Sequence, residues 1–134
     1  MKVIACVDDN FGMIFNERRT SRDREVIKDI MNNLDGKLWI RGFSEELFVD
    51  YMDKVMVDDN LFGKIGNEDI CFIEDVTLSG MENDISEVIL YKWNKKYPQD
   101  LGLELDLNYY ELKESVDIQG YSHDVITREN YIKK

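Results

Sequence analysis

The pattern of apolar and polar positions at the start of the chain predicts a buried strand followed by a turn. Val3 to Val7 is an unbroken apolar run. Such a run is typical of a strand covered on both faces, and it predicts that residues 2–7 lie at the centre of a sheet. Asp8-Asp9-Asn10 predicts a turn, and Phe11 to Phe15 predicts an apolar loop or a short strand in which Gly12 supplies backbone freedom.

A helical pattern follows over residues 20–34. Its apolar positions recur at steps of three and four residues, and they are Val26, Ile27, Ile30, Met31 and Leu34. We expect the helix to begin at Thr20 or Ser21, where a hydroxyl can accept a hydrogen bond from a first-turn N–H, and to end before Gly36. Leu38 to Ile40 then predicts a strand, and the order strand, helix, strand indicates a right-handed parallel crossover.

The remaining pattern completes an α/β domain. Ser44 and the apolar spacing after it predict a second helix over residues 44–55, and Ile70 to Ile73 and Val88 to Tyr91 predict two more strands. Two late segments, 109–116 and 122–132, fit either a closing strand pair or a strand followed by a short helix. The sequence therefore predicts a single α/β domain over residues 1–134, with a mixed, largely parallel central sheet flanked by helices.

Composition supports a folded domain and excludes several classes of function. The chain has 134 residues, of which 43% are hydrophobic, and this is enough for one core. Its formal net charge is -11, so most of its surface would repel a nucleic acid duplex. No apolar stretch approaches the length of a membrane span. We therefore expect a cytoplasmic protein that binds neither nucleic acid nor membranes.

Few side chains are suited to metal binding or nucleophilic catalysis. Cys6 and Cys71 each lie in an apolar stretch without Cys-x-x-Cys spacing, so two buried, reduced thiols are expected. His123 is the only histidine, which excludes a histidine-rich zinc site; without a nucleophile motif it is interpreted as a turn residue. Asp8-Asp9 is interpreted as a turn and not as a Mg²⁺ site, because neighbouring strand residues point to opposite faces. No metal and no cofactor are predicted.

Arginines are concentrated at the predicted start of the first helix. Four of the six arginines lie within seven residues, at positions 18, 19, 22 and 24. Guanidinium groups beside the unpaired N–H groups of a helix N-terminus attract phosphate or carboxylate. The alternative interpretation is a set of surface ion pairs with the neighbouring carboxylates Glu17, Asp23, Glu25 and Asp29.

A small anionic ligand bound at this helix start is the first of two functional hypotheses. The candidate ligand-binding residues are Arg18, Arg19, Ser21, Arg22, Asp23, Asp8 and Asn16. Arginines would hold the anionic group, Ser21 would contribute its hydroxyl, and Asp23 would serve as an acid or orient an arginine. Open α/β sheets have their ligand crevice at the carboxyl ends of the strands, where Asp8 and Asn16 would meet the arginines.

The second hypothesis is a non-catalytic interaction module or a homo-oligomer. Aromatic residues are enriched at interface centres, and the aromatic residues considered for such a surface are Trp39, Trp93, Tyr91, Tyr97, Tyr109 and Tyr110. Burial in the core is the alternative interpretation for all of them. It is favoured for Trp39, while both interpretations stay open for Trp93, whose neighbours are polar.

The order of elements resembles the dihydrofolate reductase superfamily. In that family a strand leads through a glycine-containing loop to a helix bearing an acidic pterin-binding residue, and Asp23 lies at a similar distance past Gly12. Later segments are similar to that family's late strand, proline-containing loop and closing hairpin: Glu87 to Trp93, Tyr97-Pro98, Tyr109 to Val116 and Ser122-His123. The resemblance implies a shortened fold of that kind.

The residues with which that family binds a nicotinamide cofactor are absent. The Pro-Trp after the glycine loop is replaced by Glu17-Arg18-Arg19, and Gly42-Phe43-Ser44 lacks the basic residue that holds cofactor phosphate. No Gly-Gly pair allows the close backbone approach that a dinucleotide needs. We therefore expect no reductase activity.

A second resemblance covers the whole chain. It is similar to a group of short uncharacterised bacterial proteins, some of which have carried a ribonuclease Z label. Residues 7–24 match their pattern Val-Asp-Asp-x-x-Gly-Met-x-Phe-Asn-x-Arg-Arg-x-Ser-x-Asp-Arg, and later similarities are Lys92-Trp93-Asn94, Tyr97-Pro98 and Ser122-His123. Ribonuclease Z binds two zinc ions through several histidines, whereas this chain has one. Zinc-dependent ribonuclease activity is therefore not expected.

Overall fold

A seven-stranded sheet forms the centre of the protein, in a computed structural model that describes residues 1–134. In chain order the strands are β1 (Lys2–Val7), β2 (Gly12–Phe15), β3 (Arg18–Arg19), β4 (Leu38–Ile40), β5 (Val55–Val57), β6 (Ile70–Ile73), β7 (Glu87–Lys92), β8 (Leu101–Gly102), β9 (Tyr110–Gln119) and β10 (Val125–Lys133). The large sheet has the order β5-β4-β6-β1-β7-β10-β9, and a small sheet has the order β3-β2-β8. The first five strands in this order are parallel to one another. Strand β10 is antiparallel to both of its neighbours, β7 and β9.

Strand β1 lies at the middle of the large sheet, as its unbroken apolar run predicts. Val3, Ala5 and Val7 belong to one hydrophobic core cluster, and Ile4 and Cys6 belong to the other. All five residues are buried, because a strand with parallel neighbours on both sides has core on both faces. The predicted fold class, a mixed and largely parallel α/β sheet, is confirmed.

The helix after the arginines begins later than the sequence predicts. Helix α1 spans Arg24–Asn32, and its N-cap is Asp23, whose carboxylate accepts the Glu25 amide at 3.0 Å. The predicted start at Thr20 or Ser21 is therefore wrong. Ser21 is buried instead, and the Thr20 hydroxyl donates to the Met13 carbonyl across the small sheet. Both hydroxyl groups thus lie away from the helix end that they were expected to cap.

The predicted second helix is a 3₁₀ segment, Gly42–Lys54, with non-helical backbone at Phe48 and Tyr51. Phe48 is fully buried and packs edge-on against Phe72 at 5.3 Å between ring centroids, whereas Met52 is 41% exposed. Positions 48 and 52 would share one face of an α-helix. The predicted helix is therefore present with nearly the predicted bounds, but as 3₁₀ turns with a kink and not as a continuous α-helix.

The end of the chain forms a strand pair, which was one of the two alternatives. Strands β9 and β10 are antiparallel, and β10 also pairs with β7. Strands β1 and β4 are the strands of the large sheet that come before and after α1 in the sequence, and they are parallel with β6 between them.

None of the helices combines the length and the apolar character needed to cross a membrane.

Candidate functional site

Three parallel strands bring their carboxyl ends together at one edge of the large sheet. Strand β1 pairs in parallel with both β6 and β7, so the residues that follow these strands lie side by side. Asp8 follows β1, Glu74 follows β6 and Trp93 follows β7, and all three side chains are buried. This is the sheet edge at which open α/β folds carry their ligand crevice.

A cavity of about 330 Å³ opens beside this edge. It lies between the β2–β3 hairpin, the segment after β7 and the loop before β10. Its lining residues are Phe15, Arg18, Arg19, Thr20, Trp93, Tyr97, Pro98 and His123. Two of the seven candidate residues, Arg18 and Arg19, therefore line it.

The β2–β3 hairpin carries both of these arginines. Asn16 and Glu17 form its turn with positive φ angles of 49° and 63°, as a two-residue hairpin of the mirror-image type requires. Adjacent strand residues point to opposite faces, and the two arginines differ accordingly. Arg18 is exposed and its side chain makes no hydrogen bond or ion pair within the protein, whereas the Arg19 side chain is only 6% exposed.

Arg19 is surrounded by oxygen atoms but is not fully paired. Nη2 donates to the Phe43 carbonyl at 2.8 Å, and Nε lies 3.4 Å from Glu74 Oε1. Nη1 lies 3.0 Å from Glu46 Oε1 in a contact that lacks hydrogen-bond geometry, so Nη1 is a buried donor without a partner. The guanidinium also lies over the Phe43 ring, 4.5 Å from its centroid. Arg19 is thus held in place while keeping an unused N–H.

Glu74 is the buried carboxylate beneath Arg19. Its Oε2 accepts the Ser44 hydroxyl at 2.6 Å, and its Oε1 makes no hydrogen bond. Burial raises the pKa of Glu74, and Ser44 and Arg19 oppose that rise only in part. Ionisation of Glu74 beside Arg19 therefore costs free energy.

Trp93 lines the cavity and carries a buried donor without a partner. The residue is 2% exposed, and the indole Nε1–H is buried and makes no hydrogen bond within the protein. Buried tryptophan N–H groups usually find an acceptor, and a buried polar group without one costs roughly 1–3 kcal/mol.

His123 lines the cavity and is held by Asp23. Its Nδ1 lies 2.9 Å from Asp23 Oδ2, and the imidazole packs edge-on against the Trp93 ring at 5.5 Å. Nε2 makes no hydrogen bond within the protein, and the side chain is 26% exposed. One nitrogen of the ring is therefore fixed by a carboxylate while the other is free.

Asp23 is buried and fully hydrogen-bonded. Besides His123, it accepts hydrogen bonds from the backbone amides of Glu25, Tyr121 and Ser122, at 3.0 to 3.2 Å. Burial opposes its ionisation, but the hydrogen bonds outweigh burial and lower the pKa of Asp23. The carboxylate therefore stays ionised, occupies the N-terminus of α1 and ties it to the loop before β10.

The other predicted site residues lie outside the cavity wall. Arg22 is exposed and pairs with Glu46 at 2.7 Å. Ser21 is buried behind the wall. Asp8 accepts the amides of Asn10, Gly12 and Tyr97, so it organises the two loops. Asn16 lies in the hairpin turn, where its amide donates to Asp100.

The structure also distributes the aromatic residues considered for a contact surface. Tyr91, Trp93 and Tyr110 are buried, and Trp39 is partly buried against the core. Tyr97 and Tyr109 are 39% and 54% exposed. Most of these side chains therefore pack inside the molecule.

Sequence reasoning missed six of the eight residues that line the cavity. Trp93, Tyr97, Pro98 and His123 were not proposed as ligand contacts, although they line the cavity with the arginines. A usable signal existed for the first three, because they follow β7 and a strand parallel to β1 must end at the same edge. His123 had no such signal, since its position depends on a hydrogen bond to Asp23 across 100 residues.

Comparison with known proteins identifies the fold alone. No protein-family model matches the chain, and no curated protein matches its sequence. Among solved structures it is similar to a dihydrofolate reductase from Enterococcus faecalis complexed with NADP(H) and RAB-propyl. The TM-score is 0.68 at 9% identity, over 99% of this chain and 96% of that one. The chain therefore has a dihydrofolate reductase-like fold, which carries many different sites and does not define the activity.

Proposed function

We propose that the protein binds a small anionic ligand with a planar apolar part in the cavity beside β3. The proposal depends on one observation above all. Trp93 Nε1 is a buried N–H donor without an acceptor in the protein, Arg19 Nη1 has only the Glu46 carboxylate at 3.0 Å, and both residues line the same cavity. Buried polar groups in native proteins are nearly always hydrogen-bonded, and carboxylate or phosphate oxygens would satisfy these donors.

Charge in the cavity wall supports an anion over a neutral acceptor. Arg18 makes no ion pair, so its charge is available to a ligand without breaking an existing contact. Arg19 is partly neutralised by Glu46 and Glu74, but its guanidinium is already held rigidly. A fixed guanidinium loses little side-chain entropy when it binds a carboxylate or phosphate.

The rest of the wall limits the shape and size of the ligand. Phe15, Tyr97 and Pro98 present flat apolar surfaces next to the arginines. A volume of about 330 Å³ is at the lower end of the range for small-molecule sites. These features favour one aromatic ring that carries one acidic group, such as a ring carboxylate or an aryl phosphate.

Isothermal titration with four probes tests this proposal. Benzoate and phenyl phosphate carry both features, benzamide has the ring without the charge, and inorganic phosphate has the charge without the ring. We expect the two aromatic anions to bind saturably and at least about tenfold more tightly than either partial probe. Ionic strength is matched with chloride so that general screening is constant.

Two arginine variants identify the location of binding. Arg18→Ala removes the unpaired guanidinium of the wall and should weaken benzoate at least about fivefold. Arg22→Ala removes a neighbouring arginine that is 66% exposed and outside the cavity, and it should change the affinity for benzoate by less than about twofold. Equal losses in both variants, or equal binding of benzamide and benzoate, would refute the proposal.

A further inference from the structure

Asp23 and His123 form a pair that the architecture of α1 does not require. Capping the helix needs only the hydrogen bond from the Glu25 amide to Asp23. The amides of Tyr121 and Ser122 already tie the loop to the same carboxylate. The imidazole of His123 adds a further contact at 2.9 Å, and the same ring lines the cavity.

The pair fixes the tautomer of the imidazole. An ionised carboxylate can only accept hydrogen bonds, so Nδ1 of His123 carries the proton that it donates to Asp23. In the neutral ring Nε2 then has a free lone pair, and no group of the protein occupies it. An oriented imidazole with one free nitrogen is the arrangement of a general base.

A cationic group for an anionic substrate is present in the same wall. The Arg18 side chain makes no hydrogen bond or ion pair within the protein, and Arg18 lines the cavity with His123. A guanidinium forms strong, charge-assisted hydrogen bonds to a carboxylate. The cavity therefore combines a base with a group that can hold the anionic end of a substrate.

Water is the nucleophile that this wall leaves available. The Thr20 hydroxyl donates to the Met13 carbonyl. The Cys6 thiol is buried behind the wall, and burial raises the pKa of Cys6. No serine lines the cavity. A covalent intermediate on the protein is thus not supported, whereas a direct attack by water is.

We propose that the cavity hydrolyses small anionic esters, with His123 Nε2 as the proton acceptor and Asp23 as the positioning residue. This inference rests on the proposed binding of aromatic anions. Water attacks the ester carbonyl carbon while its proton moves to His123 Nε2. The carbon–oxygen bond to the leaving group then breaks, and Nε2 returns the proton to the departing oxygen. The ester yields its acid and its alcohol, and no electrons are exchanged with a second reactant.

Hydrolysis of 4-acetoxybenzoate, followed as release of 4-hydroxybenzoate, tests the inference. Phenyl acetate is the matched neutral ester. We expect kcat/KM for the anionic ester to exceed that for phenyl acetate by at least about tenfold, and Arg18→Ala to abolish that preference. Removal of a general base typically costs a factor of about 10² to 10⁴, so His123→Gln should lower kcat by at least about a hundredfold. Arg22→Ala, outside the cavity, should retain the parent rate.

Asp23→Asn separates a positioning role from a purely structural one. Without the carboxylate, Nδ1 of His123 loses the acceptor that fixes its proton, so kcat for 4-acetoxybenzoate should fall at least about tenfold while KM changes less than about twofold. A merely structural Asp23 would reduce the folded fraction, which thermal unfolding measures, and would leave kcat per folded molecule unchanged.

The outcomes for binding and for hydrolysis are distinguishable. If benzoate binds but 4-acetoxybenzoate is hydrolysed no faster by the parent than by His123→Gln, the hydrolytic inference is wrong and the binding proposal stands. If His123→Gln proves unstable, Arg18→Ala gives the second test, because an unchanged preference for the anionic ester contradicts the inference. If benzoate does not bind at all, the binding proposal itself fails.

Discussion

Arg19 shows how one side chain can be both structural and available to a ligand. Its Nη2 and Nε are held by Phe43 and Glu74, and its Nη1 faces Glu46 without a proper hydrogen bond. Glu46 is 58% exposed and also binds Arg22. An exposed carboxylate at this position competes with any external anion for the same guanidinium.

Replacing Glu46 should therefore strengthen anion binding. Glu46→Gln removes the competing charge and retains the size of the side chain. An exposed ion pair contributes roughly 0.2–1 kcal/mol, so the dissociation constant of benzoate should fall by up to about fivefold in isothermal titration. Glu45→Gln is the control, because Glu45 is also exposed but makes no ion pair. Weaker binding to Glu46→Gln than to the control variant would contradict competition at Arg19.

Asp23 should make the stability of the fold depend on acid pH. Hydrogen bonds lower its pKa in the folded state, so its contribution is fully present above the unfolded value of about 3.9 and is lost as the pH falls through the folded value. Asp23→Asn removes several charge-assisted hydrogen bonds and should cost about 2 kcal/mol at pH 7. Urea unfolding at a series of pH values should show this difference shrinking below about pH 4.

Asp124→Asn provides the comparison for this experiment. Asp124 lies in the same loop, but its side chain is 93% exposed and contacts only Lys95, at 3.9 Å. Its replacement should change the unfolding free energy by less than about 0.5 kcal/mol. An Asp23→Asn penalty that is constant from pH 7 to pH 2 would show that the charge of Asp23 is not what stabilises the loop.

At the level of elements, the loop before β10 determines the position of His123. Gly120 starts this loop, and a Cβ there would meet the His123 carbonyl at 2.7 Å, the Asp124 carbonyl at 3.0 Å and Asp23 Oδ2 at 3.0 Å. Two of these three atoms belong to the backbone and cannot rotate away. Only glycine therefore allows the loop to close onto Asp23.

Gly120→Ala should destabilise the protein by roughly 1–3 kcal/mol, as overpacking usually does. The midpoint of urea unfolding measures this loss. Gly63→Ala is the matched control, because a Cβ at Gly63 meets no atom within 4 Å, and its effect should be below about 0.5 kcal/mol. Equal stability of the two variants would mean that the loop shifts at little cost.

The sequence predicts strands better than it predicts caps. β1, β4, β6 and β7 coincide with apolar runs, since a strand covered on both faces needs little beyond local hydrophobicity. The predicted start of α1 was wrong because the Thr20 hydroxyl donates to the Met13 carbonyl and Ser21 is buried, although both residues have the chemistry of a cap. Asp23 caps the helix while binding residues about 100 positions away, and local patterns carry no information about such contacts.

The candidate site, like the secondary structure, was predicted only in part from the sequence. Arg18 and Arg19 were identified because clustered arginines are visible in the sequence, and both line the cavity. Arg22 has the same local character but lies outside the cavity, paired with Glu46. Arg18 and Arg19 line the cavity because a two-residue turn places them on strand β3. The sequence predicted a helix start at Thr20 but no strand at these two residues.

At the scale of the whole molecule, internal carboxylates occupy the backbone amide and the arginine at the start of the 3₁₀ segment. The Gly42 amide donates to Asp59 Oδ1 at 2.8 Å, and Arg41 pairs with Asp75 at 3.0 Å. An internal carboxylate therefore occupies the backbone amide, and the nearby arginine is already neutralised. Both features oppose the approach of a phosphate group.

We accordingly predict that the protein neither binds nor oxidises reduced nicotinamide dinucleotides. Fluorescence titration of the reduced cofactor should give no saturable signal at micromolar protein and cofactor concentrations. Phenyl phosphate serves as the positive control in the same buffer, because its expected site is the separate cavity beside β3. Saturable cofactor binding would contradict the prediction.

The central claim is that an external anion completes the hydrogen bonds of the cavity, and the indole N–H resonance of Trp93 tests it most directly. Trp39 is the only other tryptophan, so a Trp39→Phe variant assigns the signal. On titration with phenyl phosphate, the Trp93 Nε1–H should move downfield and saturate, as expected when an unpaired donor gains a charged acceptor, and Arg18→Ala should weaken the response. A Trp93 resonance that does not move while phenyl phosphate reaches millimolar concentration would contradict the account.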